Sequence, residues 1–324
     1  MHSQPTASEP AIEVSELVKR YAPTAKPAVD GLSFHVGPGE IYALLGPNGS
    51  GKSPTIGVLA TLLAPDAGRI LVAGHDAVTE PDAVRRRIGV ALQETGVDAA
   101  ARGHDLIVRH ARLLGMTRAA AATRASQLLE EFDLAEAGSR RLRTYSGGMR
   151  RRLDLALALT GHPRVVFLDE PTTGLDPISR QELWERVRRR RAEGVAVLLT
   201  TQYLEEADAL ADRIGIVAAG QLRIEGTADE LKRTVGGDVL TIEVDEPDGA
   251  RTAAVLAAVH EGGGRVRLEV RDGGAALPRV LARLAAAGLE TRSVSLARPT
   301  LDDVFRHVVG GHLAHVQASM EPAA

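Results

Sequence analysis

The stretch GPNGSGKS, from Gly46 to Ser53, decides the fold of this chain. It lies between EIYALL (residues 40–45), an apolar run short enough to be a buried strand, and IGVLATLLA (residues 56–64), whose apolar spacing suits a helix. The order strand, glycine loop, helix predicts a phosphate-binding loop in an α/β fold. The alternative, a glycine-rich turn with a chance Gly-Lys-Ser, is disfavoured by the strand and the helix on either side.

The residue types in this loop suit the binding of a phosphate chain. Its glycines allow the backbone angles that point several N–H groups into one concavity, and the helix that follows offers its positive end to the same phosphates. Lys52 is predicted to reach the β- and γ-phosphates, and Ser53 to supply one oxygen ligand to Mg²⁺. The predicted nucleotide contacts are Gly46, Pro47, Asn48, Gly49, Ser50, Gly51, Lys52, Ser53, Pro54 and Thr55.

Pro54 departs from the loop pattern. A threonine or serine is usual at this position, where its N–H and hydroxyl face the α-phosphate, and proline offers neither donor. Proline also restricts the residue before it, so Ser53 is expected to leave helical backbone angles. We therefore expect nucleotide binding to survive in a weakened form.

Composition limits the classes of function. The chain has 324 residues, enough for a nucleotide domain and a second, smaller domain. Its net charge is −3 and it has no long basic run, which argues against a nucleic-acid partner. It has no cysteine, which excludes disulfides, a thiolate nucleophile and a cysteine metal site. We recognise no signal peptide and no run of the roughly 18 apolar residues that cross a bilayer, so no direct membrane insertion is expected.

Apolar strands alternate with helices along most of the chain, which predicts a mainly parallel sheet covered on both faces. Antiparallel strands are expected before the loop, around residues 12–18 and 28–36, and a block of helices interrupts the sheet at about 97–158. Gly236 and Gly237 mark a predicted domain boundary. The predicted segments are a disordered tail at 1–10, a nucleotide domain at 11–235, an accessory α+β domain at 238–309 and a second tail at 310–324.

Two adjacent acids follow the apolar run VVFL at residues 165–168. The predicted strand delivers Asp169 to its carboxyl end, where the ligands of open parallel sheets gather, and Asp169 can hold Mg²⁺ through a water. Glu170 is placed to orient and deprotonate an attacking water. A solvated strand end would carry the same pair of acids, but the phosphate-binding loop upstream favours the catalytic interpretation.

The stretch YSGGMRRR, from Tyr145 to Arg152, introduces another predicted helix. Ser146 is a suitable N-cap, and Gly147 and Gly148 leave the helix N-terminus open to an anion. The arginines of the first turn oppose the helix dipole, so an anion or an acidic surface is expected nearby. An ordinary capped helix with an arginine-rich face is the alternative.

Tyr21 is a candidate contact for the base of a nucleotide. Aromatic residues make up only 3% of the chain, and Tyr21 lies in KRYAPT, at a predicted turn between two strands. Its ring is suited to stacking on a purine. A tyrosine that covers the end of a strand is the alternative.

These motifs together resemble the ATP-binding-cassette ATPases. GPNGSGKS, Gln93, YSGGM, FLDEPTTGLDP and TTQYLEEAD occur in the order and at about the spacing of that family, over roughly residues 11–235. The resemblance implies ATP and Mg²⁺ as ligands, and a homodimer in which each ATP lies between one phosphate-binding loop and the partner's signature helix. The roles it implies are adenine stacking for Tyr21, Mg²⁺ and nucleotide contact for Gln93, the signature segment for Ser146, Gly147, Gly148 and Met149, metal ligand and base for Asp169 and Glu170, and the D-loop acid for Asp176.

Finer features are similar to one branch of that family. YSGGMRRRLD, LLTTQYLEEAD and RPTLDDVF resemble the daunorubicin/doxorubicin-resistance exporter ATPases, in which the cassette is a separate chain that works with a membrane permease. This resemblance implies a drug or antibiotic efflux subunit, cytoplasmic and peripheral on the inner face of the membrane. Gln202 stands where most cassettes have a switch histidine, so it can donate to the γ-phosphate but cannot take up a proton. The glycines at 262–264 suggest an accessory domain that lacks a strand which relatives have room for.

Two other functions stay open at this point. A soluble cassette protein that acts on ribosomes or DNA would usually carry two cassettes or a long coiled-coil insertion, and this sequence has neither. A nucleotide-binding regulatory subunit with little hydrolysis is suggested by Pro54 and Gln202, whereas the intact Lys52, Asp169 and Glu170 argue against it. Fold alone does not decide function.

Overall fold

The computed structural model describes residues 9–22, 24–93 and 98–310. The chain divides between residues 227 and 228 into two compact units. Most of the two predicted tails, and the first residue of the predicted helical block, lie outside the described residues. Within the described ranges, no helix combines the length and the apolar character needed to cross a bilayer.

The first unit alternates strands and helices as the sequence predicts. Its strands are β1 (Ile12–Lys19), β2 (Val29–Val36), β3 (Ile41–Leu45), β4 (Ala67–Val72), β5 (His75–Asp76), β6 (Ile88–Ala91), β7 (Val165–Asp169), β8 (Ala196–Thr201), β9 (Arg213–Ala218) and β10 (Gln221–Gly226). Its helices are α1 (Lys52–Leu59), α2 (Pro81–Arg85), α3 (Gly103–Leu113), α4 (Arg118–Glu131), α5 (Gly147–Ala158), α6 (Pro177–Ala192) and α7 (Leu204–Leu210).

A mainly parallel sheet forms the centre of this unit, with the order β10-β9-β3-β8-β7-β6. Every residue of β3, β7 and β8 is buried, as expected for strands covered on both faces. The predicted parallel sheet is therefore confirmed. The sequence analysis missed β10, which runs antiparallel to β9 at the edge. All of its residues are partly exposed, so no apolar run marks it as a strand.

An antiparallel sheet of order β2-β1-β4-β5 accompanies the central sheet. The strands predicted around residues 12–18 and 28–36 are its β1 and β2, and they pair antiparallel as expected. Their buried side chains, such as Val14 and Phe34, share one apolar cluster with Ile56 of α1 and Phe167 of β7. This shared core fixes the phosphate-binding loop between the two sheets.

The predicted block of helices between β6 and β7 consists of α3, α4 and α5, which pack against one another. Thr117 caps α4 by accepting from Ala120 N at 3.2 Å. The end of α4 is tied to the arginine-rich helix α6, because Arg186 pairs with Asp133 and Arg190 pairs with Glu131. These ion pairs account for part of the arginine content of α6.

The second unit is a small α+β domain. Its elements are α8 (Ala228–Val235), β11 (Asp238–Glu243), α9 (Gly249–Leu256), β12 (Val259–Gly262), β13 (Arg265–Val270), α10 (Gly273–Ala286), β14 (Ser293–Ala297) and α11 (Leu301–Phe305). The sheet has the order β12-β13-β11-β14 and is antiparallel throughout. From β11 to β14 the chain follows the βαββαβ order of ferredoxin-like domains. The apolar core lies between the sheet and the two helices α9 and α10.

The boundary between the two units differs from the one that the sequence predicts. The division falls at residue 227, before the predicted boundary at Gly236, because α8 packs against α11 within the second unit. Residues 251–260 of this domain belong to two elements: α9 ends at Leu256, Ala257 takes a left-handed conformation (φ 55°), and the chain enters β12. The glycines at 262–264 all have positive φ and form the turn between β12 and β13; that relatives have room for a further strand at this turn stays a prediction.

Candidate functional site

The phosphate-binding loop occupies a space that only glycine fits at two positions. A Cβ on Gly46 would lie 2.4 Å from the Val217 carbonyl oxygen, and a Cβ on Gly51 would lie 2.4 Å from the Ala28 carbonyl oxygen. Gly51, the N-cap of α1, also has a φ of 105°, in the region that favours glycine. The loop backbone thus packs closely against β9 and against Ala28, which precedes β2, and leaves no room for a side chain at either glycine.

Lys52 is held inside the loop. Its Nζ donates to the carbonyl oxygens of Gly46 at 2.8 Å and Pro47 at 3.1 Å, and lies 3.6 Å from Oε1 of Glu170. Burial lowers the pKa of the Lys52 ammonium from its usual value, and the Glu170 carboxylate partly opposes that shift. The site therefore places one cation at the mouth of the loop, beside the predicted base.

Three oxygen-bearing side chains meet where the loop approaches β7 and β8. Ser53 Oγ donates to Oδ1 of Asp169 at 3.1 Å, and Thr200 Oγ1 donates to the same oxygen at 2.6 Å. Hydroxyl and carboxylate oxygens are the ligands that Mg²⁺ prefers, together with water and substrate phosphate. No cluster of three or more His, Cys, Asp or Glu able to hold a metal occurs among the described residues. Ser53 and Asp169 thus fit a Mg²⁺ that takes its remaining ligands from phosphate and water.

Glu170 is fixed by both its backbone and its side chain. Its φ of 47° is left-handed, which is unusual for a residue other than glycine. Its N–H donates to the carbonyl oxygen of Thr200 at 3.1 Å and to the Thr200 hydroxyl at 3.0 Å. Its Oε2 accepts from Thr173 Oγ1 at 3.2 Å and from Gln93 Nε2 at 3.5 Å. The carboxylate is 5% exposed and directed toward the loop.

Sequence analysis missed Thr200 and Thr173 as parts of this site. Thr200 lies directly beside Asp169 in the parallel pairing of β7 and β8. Thr200 stands directly after the apolar residues of β8, and only a prediction that β8 pairs with β7 would have placed it beside Asp169.

A cavity of about 460 Å³ opens in front of the loop. Its volume lies within the range of small-molecule sites. Tyr21, 68% exposed, forms part of its wall, consistent with a ring free to stack on a base. The cavity is lined by Tyr21, Ala28, Asn48, Gly49, Gly51, Lys52, Ser53, Pro54, Gln93 and Glu170. All of these except Ala28 are residues that the sequence analysis selected.

Pro54 does not disturb the helix in the way expected. Ser53 and Pro54 both lie within α1, so the expectation that Ser53 leaves helical angles is wrong. The helix tolerates Pro54 because it lies in the first turn, where an N–H has no helical acceptor. The bond from Thr55 N to the Gly51 carbonyl oxygen, at 3.1 Å, is intact. The Thr55 hydroxyl also donates to that oxygen, at 2.8 Å, so it is turned back into the helix and does not replace the donors that Pro54 lacks.

The predicted signature segment begins α5. Ser146 is its N-cap and accepts from Met149 N at 3.2 Å, as predicted. Gly147 lines a second cavity, of about 480 Å³, whose wall also includes Gln93 and Glu170. The signature segment therefore lies close to the predicted base of its own chain.

Of the three arginines in the first turn of α5, Arg152 lies near an acidic side chain, as the helix dipole predicts, and Arg151 also has partners that the dipole does not predict. Arg151 is 9% exposed and donates to the main-chain oxygens of Leu92, Asp169, Glu170 and Pro171, each at 2.7 Å. Burial lowers the pKa of the Arg151 guanidinium. Arg152 lies 3.8 Å from Asp133, and Arg150 is exposed. Arg151 therefore bonds to neutral backbone carbonyl groups of its own chain, and the Asp154 carboxylate lies 3.9 Å from it.

Several predicted residues lie outside the cavity in front of the loop. Asp176 caps α6: its Oδ1 accepts from Ile178 N at 3.1 Å and from Ser179 N at 3.0 Å. The bond from the Ser179 hydroxyl and, after it, the backbone N–H bonds lower the pKa of Asp176. Gln202 follows β8 and is exposed. Within the part of the chain that the structure describes, the predicted residues that do not line this cavity are Gly46, Pro47, Ser50, Thr55, Ser146, Gly147, Gly148, Asp169, Asp176 and Gln202.

Family profiles match both units. The profile described as "ABC transporter" matches residues 29–173, and the profile described as "ATP-binding protein DrrA1-3-like, C-terminal domain" matches residues 226–309. The second match covers the α+β unit, including α8.

Full-length relatives carry the same combination. The daunorubicin resistance ATP-binding protein DrrA3 of Streptomyces coeruleorubidus is 49% identical over 94% of this chain and 97% of its own length. The daunorubicin/doxorubicin resistance ATP-binding protein DrrA of Streptomyces peucetius is 46% identical over 100% of this chain and 98% of its own.

Solved structures share the fold of the first unit. An ATP-binding subunit of an ABC transporter is 30% identical, with a TM-score of 0.63, over 69% of this chain and 92% of that one. A dimeric ATP-binding cassette bound to ADP and Pi is 20% identical, with a TM-score of 0.62, over 67% of this chain and 98% of that one, and shows the fold alone. Since the relatives match over nearly their whole length and both family profiles match, the chain belongs to the ATP-binding-cassette ATPases, in the branch with a DrrA-like C-terminal domain.

Proposed function

We propose that this chain is the ATP-hydrolysing subunit of an ABC exporter that removes a drug or antibiotic, and that it drives a separate membrane permease. The observation that carries the proposal is the Glu170 carboxylate held at the mouth of the phosphate-binding loop, 3.6 Å from the Lys52 ammonium. The names of the relatives, at 46% and 49% identity, support efflux of a daunorubicin-like compound. Work with a permease would place the chain in the cytoplasm, peripheral on the inner face of the membrane.

The described residues divide the chemistry among them. The loop N–H groups and Lys52 bind the phosphates, and Tyr21 stacks on the base. Ser53 and Asp169 would hold Mg²⁺, with Gln93 beside them, and a bound Mg²⁺ would neutralise charge on the phosphate oxygens. Glu170 orients the attacking water and accepts its proton. Gln202, exposed after β8, is proposed to donate to the γ-phosphate.

Two copies are proposed to pair with two-fold symmetry, each ATP lying between one loop and the partner's signature segment. Ser146 and Gly147 at the start of α5 are exposed, and so are Tyr21 and Ser53 at the loop. These exposed surfaces support the pairing, because each half of the composite site is accessible to a second chain. Asp176 is proposed to lie at the same interface.

Turnover of Mg-ATP tests the proposal directly. We expect the purified chain to hydrolyse ATP when Mg²⁺ is present. Its turnover should fall to the background rate in EDTA, because the described residues of the site include few metal ligands and the chelator can compete for the metal. A chain that binds ATP but does not hydrolyse it, alone or with its permease, would favour the second candidate, a regulatory subunit. Pro54 and Gln202 favour this candidate, because each departs from the residue that is usual at its position.

Replacing Pro54 by threonine is expected to tighten ATP binding. The substitution restores an N–H and a hydroxyl at the wall of the cavity, and the Thr55 hydroxyl, bound to Gly51, does not replace them. Each restored hydrogen bond to a charged group is worth about 1–3 kcal/mol, so we expect the Kd to fall by about tenfold or more. Titration calorimetry with ATP and EDTA measures it. Pro81→Thr, in the first turn of α2, is the matched control, and an unchanged Kd for Pro54→Thr would show that the site has compensated.

A further inference from the structure

Arg151 joins parts of the site that are distant in sequence. It lies on α5, one turn after the signature glycines, yet its guanidinium donates to the main-chain oxygen of Leu92 and to those of three consecutive residues, Asp169, Glu170 and Pro171. Leu92 follows β6 and precedes Gln93, while Asp169 ends β7. A single side chain thus fixes the ends of two neighbouring strands from which Gln93 and both acids project.

These carbonyl groups need such a partner. Leu92, Glu170 and Pro171 lie beyond the ends of β6 and β7, where the strand pairing stops, and buried carbonyl groups without a partner cost free energy. Glu170 also holds a left-handed φ of 47°, a strained conformation for a residue other than glycine, which persists only when its surroundings impose it. Arg151 donates to the carbonyl oxygens of Asp169 and Glu170, which flank the Glu170 Cα, and so opposes relaxation of the turn after β7.

We infer that Arg151 is a positioning residue for ATP hydrolysis: it holds the Glu170 carboxylate at the loop and ties that position to the start of the signature helix. The inference rests on the proposed function. In a paired assembly the signature segment would face the partner's ATP while Glu170 faces its own. Arg151 would then connect the two sites through one rigid contact.

The shape of the guanidinium is what the contact requires. Three of its nitrogens donate here, in one plane, to oxygens that come from two strands. A lysine keeps the charge but presents a single nitrogen, which cannot reach all of these oxygens together. Asp154, 3.9 Å from Arg151 and also buried, helps to balance the charge in either case.

Arg151→Lys, Arg151→Gln and a control, Arg124→Lys, test the inference. Arg124 is a suitable control because it also donates to backbone carbonyls, those of Leu159 and Thr160 at the opposite end of α5. The measurements are kcat and KM for Mg-ATP, the Kd for ATP in EDTA, and the melting temperature. We expect Arg151→Lys to lower kcat by about tenfold to a hundredfold, since displacement of a reacting group by about 1 Å has effects of that size. The Kd should change less than about twofold, and Arg124→Lys should lower the melting temperature with kcat retained.

Three outcomes would overturn the inference, and they differ in what they mean for the proposed function. If the unchanged protein turns over ATP and Arg151→Lys matches its kcat, or loses no more kcat than Arg124→Lys at an equal loss of melting temperature, the inference is overturned and the proposed function stands. If both Arg151 variants lose ATP affinity and native circular dichroism, Arg151 is a structural residue and the inference is again overturned. If the unchanged protein never turns over Mg-ATP, the proposed function fails, and the inference fails with it.

Discussion

Replacing Glu170 by glutamine is expected to lower ATP turnover by about a hundredfold or more while ATP binding persists. General-base catalysis contributes about 10²–10⁴-fold, and an amide cannot accept the proton of the attacking water. Glutamine keeps the size of the side chain and can still accept the bond from Thr173, so the turn after β7 should hold. It also removes the negative charge 3.6 Å from the Lys52 ammonium, which leaves that cation free for phosphate.

Oligomeric state should change together with turnover. In the proposed pairing, ATP holds the two copies together and hydrolysis releases them, so Glu170→Gln should accumulate as a dimer in ATP. Size-exclusion chromatography with light scattering, run with ATP, with ADP and without nucleotide, measures this. Glu136→Gln, an exposed glutamate between α4 and α5, is the control and should behave as the parent protein does.

Two results would contradict this prediction. Retained turnover in Glu170→Gln would remove the base assignment. Lost turnover without a dimer in ATP would keep the assignment and remove the pairing.

The loop and the acids could be predicted from the sequence because their chemistry is local. The proposed roles of the loop glycines, Lys52 and Ser53 depend on their own backbone angles and on the helix that follows them, and a pattern of consecutive residues carries that information. Thr200 and Arg151 act through contacts across 31 and 18 positions of the chain, to Asp169 Oδ1 and to the Asp169 carbonyl oxygen. No local pattern contains such contacts.

The partners of the arginines at the start of α5 could be predicted only in part from the helix dipole. Positive charge at a helix N-terminus does call for a negative partner. Besides Asp154, 3.9 Å away, Arg151 bonds to four carbonyl oxygens, which carry no formal charge and cannot be recognised in the sequence. The same limit applies to β10 and β12, whose edge positions lack the apolar runs by which strands are recognised.

The loop itself offers the second prediction of large effect, Gly51→Ala. The added Cβ would lie 2.4 Å from the Ala28 carbonyl oxygen, which is backbone and cannot swing aside. Alanine is also strained at the Gly51 φ of 105°. Because Gly51 is the N-cap of α1, its displacement moves the N–H groups of Lys52 and Ser53 that should face phosphate. We expect the Kd for ATP to rise by about a hundredfold, since strain of this kind costs about 1–3 kcal/mol before the steric contact is added.

Gly49→Ala separates the two causes. Gly49 also has a positive φ, 78°, but a Cβ there would meet nothing within 4 Å. Alanine at this position therefore introduces only backbone strain, and we expect the Kd for ATP to rise by about tenfold or less. Titration of ATP into both variants in EDTA, with their melting temperatures, measures the difference. Equal losses in the two variants would mean that backbone angle alone sets the loop; a much larger loss for Gly51→Ala would mean that the contact with Ala28 fixes the position from which the loop binds phosphate.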